Sequence, residues 1–351
     1  MLRIRGANIL SHIELVAKVE SLRRHEWRPG PWGQRLTRNS DQSAMVDEEY
    51  LRIGEEMYPI HEVVAVDRRR GAIWSRVIIT HDAGDKTVVG GLRNRSARAF
   101  IDLLEAACIL SSTKRLQNLM PVAQKQRARW AALISRRRWL TTSEVDRFIA
   151  GCPARNEDSK LGEFVRREFT QAAKSFFSQR ELELLGYLDG SDVVFQVQSR
   201  NERFLEDEIL RYREFFDTVE ENPLTDEQRR AVVTFEDRVM TVAAAGSGKT
   251  SVMVAKAGYA LVSGQQRPEH IVLLAFNRKA AEELAERIRE RLGPRIQSAD
   301  RIKVATFHSL GLEVIGKATG KKPTVAPWIE QGREAAELLD IVSTLSSNRR
   351  F

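Results

Sequence analysis

The 351 residues are 42% apolar and 30% charged, a globular balance that predicts two or three folding units of roughly 100–200 residues each. Two cysteines, Cys108 and Cys152, exclude a disulfide framework. Neither they nor the six histidines stand at metal-ligand spacing, so a reducing, cytoplasmic setting without a resident zinc is expected. No apolar run approaches the roughly 18 residues of a membrane span, and charges interrupt the N-terminus Met1–Asn8. The formal charge of +8 is shared between residues 1–220 and 221–351, and a membrane partner is not expected.

In chain order, residues 1–45 mix Pro, Gly, Arg and Trp without a sustained period and are expected to form a poorly ordered arm. Tyr50–Ile53, Tyr58–Asp67, Ala72–Thr80 and Lys86–Val89 then read as short antiparallel strands, with turns at Gly54-Glu55, Arg70-Gly71 and Gly84-Asp85. With the helix Ser96–Leu110 they predict a small β-sheet plus helix domain over 46–112. Helices dominate 113–220, with breaks at Pro121, Gly151-Cys152-Pro153 and Gly190-Ser191-Asp192. Phe164, Phe169, Phe176 and Phe177 are read as its core. Between residues 114 and 138 stand Lys114, Arg115, Lys125, Arg127, Arg129, Arg136, Arg137 and Arg138 and no acidic residue. With Trp130 and Trp139 interleaved, that stretch is a candidate surface for a phosphate backbone. Asn201–Glu220 is charged enough to be an exposed helix ending near Asn222-Pro223.

Residues 221–351 alternate strand and helix patterns. A β-branched run, Arg238–Val242, leads into Ala243-Ala244-Ala245-Gly246-Ser247-Gly248-Lys249-Thr250, and Ser251–Val262 spaces its apolar residues helically. Two glycines between a strand and a helix permit backbone conformations that turn consecutive N–H groups toward phosphate oxygens. Lys249 then reaches the β- and γ-phosphates, and Thr250 places its hydroxyl on Mg²⁺. The expected ligands are ATP and Mg²⁺, with Ala244, Ala245, Gly246, Ser247, Gly248, Lys249, Thr250 and Ser251 forming the loop site. The general pattern asks for glycine where Ala243 stands. Upstream, Thr225-x-x-Gln228 is a capping box in form. Downstream, Ile271–Phe276 is a buried-strand run, and Asn277–Ile288 is helical, with a stripe of Ala281, Leu284, Ala285, Ile288 and Leu292 and an i,i+4 pair Glu283–Arg287. A third run, Ile302–Thr306, precedes Phe307-His308-Ser309, and a last helix is read over 328–345.

Ala-x-x-Gly-x-Gly-Lys-Thr is similar to the loop of superfamily 1 helicases of the UvrD/Rep type, and the flanking segments agree. Leu224–Val232 resembles that family's Q motif, which implies that Gln228 reads the adenine edge. Leu273–Glu283 resembles motif Ia, and Thr306-Phe307-His308-Ser309 resembles motif Ib. Both imply contact with single-stranded DNA, through Phe276, Asn277, Arg278, Thr306, Phe307 and His308. The long segment before the Q motif, with Tyr58-Pro59-Ile60 and Gly71-Ala72-Ile73-Trp74, resembles the bacterial helicase IV branch more loosely. The resemblance implies an ATP-dependent motor moving 3′ to 5′ on single-stranded DNA or at a duplex junction. The expected fold class is an α/β P-loop fold, RecA-like with an incomplete first lobe, preceded by a small α+β domain and a helical segment. No Asp-Glu pair follows Thr250, so the 221–351 lobe is expected to be truncated and the isolated chain inactive. The alternative is a non-enzymatic nucleotide- and DNA-binding module whose partner is a separate C-terminal half.

Overall fold

The computed structural model describes residues 12–22, 25–37, 43–156, 159–191, 193–244, 246–321 and 334–347. They divide into two compact units, Met1–Phe204 and Leu205–Phe351. The architecture is an α/β P-loop fold preceded by a small α+β domain and a helical segment.

Among the described residues the first unit holds seven strands in two antiparallel sheets rather than four in one. β1 (Glu26–Trp27), β2 (Ala44–Val46), β3 (Tyr50–Ile53) and β4 (Glu56–Pro59) pair in sequence order, as do β5 (Val63–Arg70), β6 (Trp74–His81) and β7 (Lys86–Arg93). The predicted strand Tyr58–Asp67 is two strands in two sheets. Pro59 has no N–H to give a ladder, the chain tightens into a 3₁₀ turn at Ile60–Glu62, and pairing restarts at Val63. Along β6 the period of two is plain: Ser75, Val77, Ile79 and His81 are buried and Arg76 is exposed. The region before residue 45 contributes α1 (His12–Leu22) and α2 (Pro31–Thr37), and Leu15, Val19 and Trp27 enter the core.

The predicted helix Ser96–Leu110 is the start of α3 (Asn94–Ile134), 41 residues long and continuous through Pro121. A proline inside a helix removes one donor and costs about 3 kcal/mol. Here Leu116, Ala123, Gln126 and Trp130 on either side of it are buried, and their packing holds the helix through the break. At its N-terminal half Ala97, Phe100, Leu103, Leu104 and Ala107 recur at helical spacing and close the core over both sheets, Phe100 lying edge-on to Trp27 at 5.3 Å between centroids. Its C-terminal half is wrapped by α4 (Thr142–Ala150), α5 (Lys160–Arg166), α6 (Glu168–Ala173) and α7 (Gln179–Leu185). Phe164, Phe169 and Phe177 are buried there, and Phe176 packs beside them, as the spacing predicted. α8 (Val193–Arg211) contains the division between the units.

In the second unit α9 (Arg213–Thr218) and α10 (Asp226–Val233) precede α11 (Lys249–Val262), β8 (Val272–Ala275), α12 (Arg278–Leu292), β9 (Lys303–Thr306), α13 (Phe307–Thr319) and α14 (Glu334–Ser347). Residues 328–333 of the last predicted helix lie outside the described residues. The Asn201–Glu220 segment is less exposed than its charge implied, because Leu205, Glu208 and Phe216 are buried. β8 and β9 run parallel with α12 as the crossover between them. Arg238–Val242 is not a strand: among the described residues nothing pairs with it, and Met240 is 87% exposed. A β-branched run becomes a strand only beside a second backbone that accepts its ladder bonds.

Tyr259 is the fully buried centre of this unit. Tyr212, Phe216 and Phe235 surround its ring, and its hydroxyl donates to Glu208 Oε2 at 2.7 Å while accepting from Gln265 Nε2 at 3.0 Å. Burial, and then the neighbouring carboxylate, push its pKa upward, so the phenol stays a donor at neutral pH.

Candidate nucleotide site and DNA edge

The site begins where α11 begins. Gly248 is its N-cap at φ 82° and Gly246 sits at φ 76°, both in the left-handed region that costs a residue with a Cβ about 1–2 kcal/mol. The first turn of any helix leaves its N–H groups without intrahelical acceptors, so those of Lys249, Thr250 and Ser251 face outward at the positive end of a 14-residue helix. Lys249 Nζ folds over the loop and donates to Ala243 O at 3.0 Å and Ala244 O at 2.6 Å, while Ser247 Oγ donates to Ala244 O at 2.7 Å. Thr250 is exposed and its hydroxyl makes no hydrogen bond among the described residues. Ala245 lies outside the described residues.

This donor set fits a triphosphate with its cation: outward amides, an ammonium already over the loop, and a free hydroxyl one residue on. Among the described residues no carboxylate bonds to Lys249 or Thr250, and no group of three His, Cys, Asp or Glu residues could hold a metal by itself.

Gln228 serves two structures at once. Its Oε1 accepts from Thr225 N at 2.9 Å, which with Gln228 N and Thr225 Oγ1 completes the capping box of α10, and its Nε2 donates to Ser247 O at 3.1 Å. One amide therefore ties the start of α10 to the loop.

Two further residues brace the loop. Lys256 is largely buried and donates to Ala231 O at 2.9 Å and to Thr234 O, capping the last turn of α10, and its ammonium lies 4.9 Å from the Phe235 ring centroid. Burial pulls its pKa down to about 8. Arg287 does not pair with Glu283 as its spacing predicted. It donates to Glu220 Oε2 at 2.7 Å and to Ser251 Oγ at 2.9 Å. An exposed i,i+4 pair is worth only about 0.3–0.5 kcal/mol, whereas a buried carboxylate such as Glu220 needs a counter-charge. Lys256 had a legible signal, a cation on the same helical stripe as buried Val252 and Tyr259. Arg287 had none.

The parallel register aligns Ala275 with Thr306, so the residues that follow each strand leave the same edge of the sheet. Phe276 is 89% exposed and Phe307 65%. Asn277 caps α12, its Oδ1 accepting from Ala280 N at 2.8 Å, and Thr306 caps α13 through Ser309. Arg278 and His308 are exposed. The six residues Phe276–Arg278 and Thr306–His308 are thus brought together at the carboxyl ends of parallel strands, where open α/β sheets hold ligands.

Residues 224–346 match the UvrD/REP helicase N-terminal domain, and residues 26–173 match the DNA helicase IV / RNA helicase N-terminal domain. The chain belongs to the UvrD/Rep helicase family. DNA helicase IV of Escherichia coli K12 is 31% identical over 301 residues, 84% of this chain and 42% of that protein. The ATP-dependent helicase PcrA of Bacillus subtilis is 36% identical over 88 residues, covering 25% of this chain and 12% of its own length. A Rep helicase of Buchnera aphidicola from Acyrthosiphon pisum is 39% identical over 90 residues, 26% of this chain and 14% of its own. The chain thus spans about two fifths of its helicase IV relative. Among the described residues no helix is long and apolar enough to cross a membrane.

Proposed function

We propose that this chain is the N-terminal portion of an ATP-dependent 3′ to 5′ DNA helicase of the helicase IV type. ATP sits on Ala244–Ser251 with Gln228 at its base, and single-stranded DNA runs along Phe276–Arg278 and Thr306–His308. The observation that supports this most is the opening of α11: two left-handed glycines aim the first-turn amides outward, and the Lys249 ammonium lies over them. Bound Mg²⁺ would supply charge neutralisation on the phosphates, with Thr250 Oγ1 as its protein ligand. On binding, Lys249 exchanges two loop carbonyls for phosphate oxygens, and Gln228 Nε2 exchanges Ser247 O for the adenine edge.

Helicase action requires groups beyond these. Phosphoryl transfer needs a carboxylate to support the metal and orient water, and no Asp-Glu pair follows the loop in residues 251–351. The purified 351-residue chain is expected to bind ATP with little turnover, and DNA-stimulated hydrolysis by it would count against this. The exposed run at Val239, Met240 and Val242 supports a C-terminal half as partner of the unit, on the same or a separate chain. A cytoplasmic location belongs to the same proposal.

The test is ATP affinity by calorimetry for the native chain and Lys249→Ala. Removing a charged hydrogen-bond partner of the phosphates is expected to weaken binding at least about tenfold, from roughly 1.5–3 kcal/mol. Equal affinities would remove the loop from the site.

A further inference from the structure

In the basic stretch 114–138, on α3 and the turn that follows it, four cations already have partners. Lys114 pairs with Glu48, Arg115 lies over the Phe164 ring at 4.1 Å, Arg129 donates to Gln126 and Arg138 pairs with Glu144. Trp130 is buried, its Nε1 donating to Gln196 Oε1 at 2.8 Å, so it offers no face to a base. Arg127 is not among the four. It is exposed, has no partner among the described residues, and lines an open cavity of about 420 Å³ in the helical segment of the first unit. That volume lies within the roughly 300–1,000 Å³ of small-molecule sites.

Across the cavity from α3 stand Arg180 on α7, also without a partner among the described residues, Tyr187 in the 3₁₀ turn that follows, and Phe195 and Gln196 on α8. Phe195 is 84% exposed, although its helix buries Val193 completely. The Trp130–Gln196–Tyr187 chain of hydrogen bonds, closed by Gln196 Nε2 to Tyr187 Oη at 3.2 Å, locks that turn of α8. Among the described residues Glu183 is the one carboxylate of the lining; its Oε1 accepts from Gln179.

Two guanidinium groups, unpaired among the described residues, beside an exposed ring form the pairing that single-stranded nucleic acid requires, charges for the backbone and a face on which a base stacks. We propose that this cavity is a single-strand binding site of the N-terminal unit, separate from the edge formed by β8 and β9, with Phe195 as the stacking platform and Arg127 and Arg180 on neighbouring phosphates. It goes beyond the ATP and DNA reading above and does not depend on it.

The test is photocrosslinking of the 351-residue chain to an oligothymidylate bearing thiothymidine and, as a second arm, an oligouridylate bearing thiouridine. Anisotropy titrations of Phe195→Ala and of the double variant Arg127→Ala, Arg180→Ala accompany it. Adducts on Tyr187 or Phe195 are expected, and the arm that gives them tells DNA from RNA. Phe195→Ala is expected to weaken binding by about fivefold or more, and the double arginine variant to lower the salt slope by about 1.4, since each phosphate contact on a single strand contributes about 0.7. The altered residues are exposed, so unchanged circular dichroism is expected. Groove adducts that persist in Phe276→Ala, Phe307→Ala would uphold this site even if the motor edge binds nothing. Adducts confined to residues 276–308 with affinity unmoved by the groove variants would overturn it and leave the motor reading standing. Absence of adducts in both arms would also overturn it.

Discussion

Tyr259→Ala is expected to destabilise the unit Leu205–Phe351 by about 3–5 kcal/mol, and Tyr259→Phe by about 1–3 kcal/mol. The larger loss follows from position. The ring is fully buried among Tyr212, Phe216 and Phe235, so truncation leaves a cavity that these three packed aromatic side chains cannot collapse to fill. The smaller loss isolates the hydroxyl, whose removal deprives the buried Glu208 of a donor at 2.7 Å and leaves Gln265 Nε2 without its acceptor. Urea unfolding followed by fluorescence measures both. Because Tyr259 stands on the same helix that opens at Lys249, Tyr259→Ala should also weaken ATP binding, whereas Tyr259→Phe should leave it near normal. A Tyr259→Phe protein with the native midpoint would show that the hydroxyl network contributes nothing to the fold.

Joint replacement of Phe276 and Phe307 by alanine is expected to reduce affinity for single-stranded DNA by at least about tenfold, from roughly 1–3 kcal/mol per stacked base. Both rings are exposed at the edge that the Ala275–Thr306 register creates, and exposed substitutions usually shift stability by no more than about 0.5 kcal/mol. A loss of DNA binding with an unchanged melting curve would therefore come from the contact itself. The outcome that would sink the DNA edge is wild-type affinity in the double variant at several salt concentrations, and the single variants would then need no further study. Nucleotide affinity serves as the internal control, since neither ring belongs to the loop around Lys249.

The loop was the most legible part of the second unit. Gly246, Gly248, Lys249 and Thr250 declare their conformation locally, because only glycine takes positive φ at little cost and the lysine and hydroxyl follow in a fixed order. The capping box at Thr225 and Gln228 is local in the same way, and the sequence showed it. What it did not show is that the same glutamine amide also reaches Ser247, nineteen residues away. Arg287 is the sharper case: four-residue spacing pointed to Glu283, and the tertiary fold supplied Glu220, a buried carboxylate whose need for a counter-charge outweighs a solvated pair.

In the N-terminal unit the strand at Tyr50–Ile53 was legible because its burial alternates, whereas β7 runs past the predicted Lys86–Val89 to Arg93 through two glycines whose burial only packing decides. The switch between sheets at Pro59 was not, since a pattern of apolar residues does not say which neighbour a strand will find. Pro121 misled for the opposite reason, its local cost being offset by buried residues on both sides that packing alone brings together.

By itself, then, the amino-acid order determined the left-handed glycine turn that opens α11 and the helicase-like segments around it, because short-range backbone preferences and motif spacing are properties of neighbouring residues. Only the tertiary structure decided that Phe276 and Phe307 share one edge, that Trp130 faces inward and Phe195 outward, and that Lys256 caps another helix. Each of those depends on which distant groups come within a few ångströms, and on whether a polar or charged group there is left in water or must find a partner.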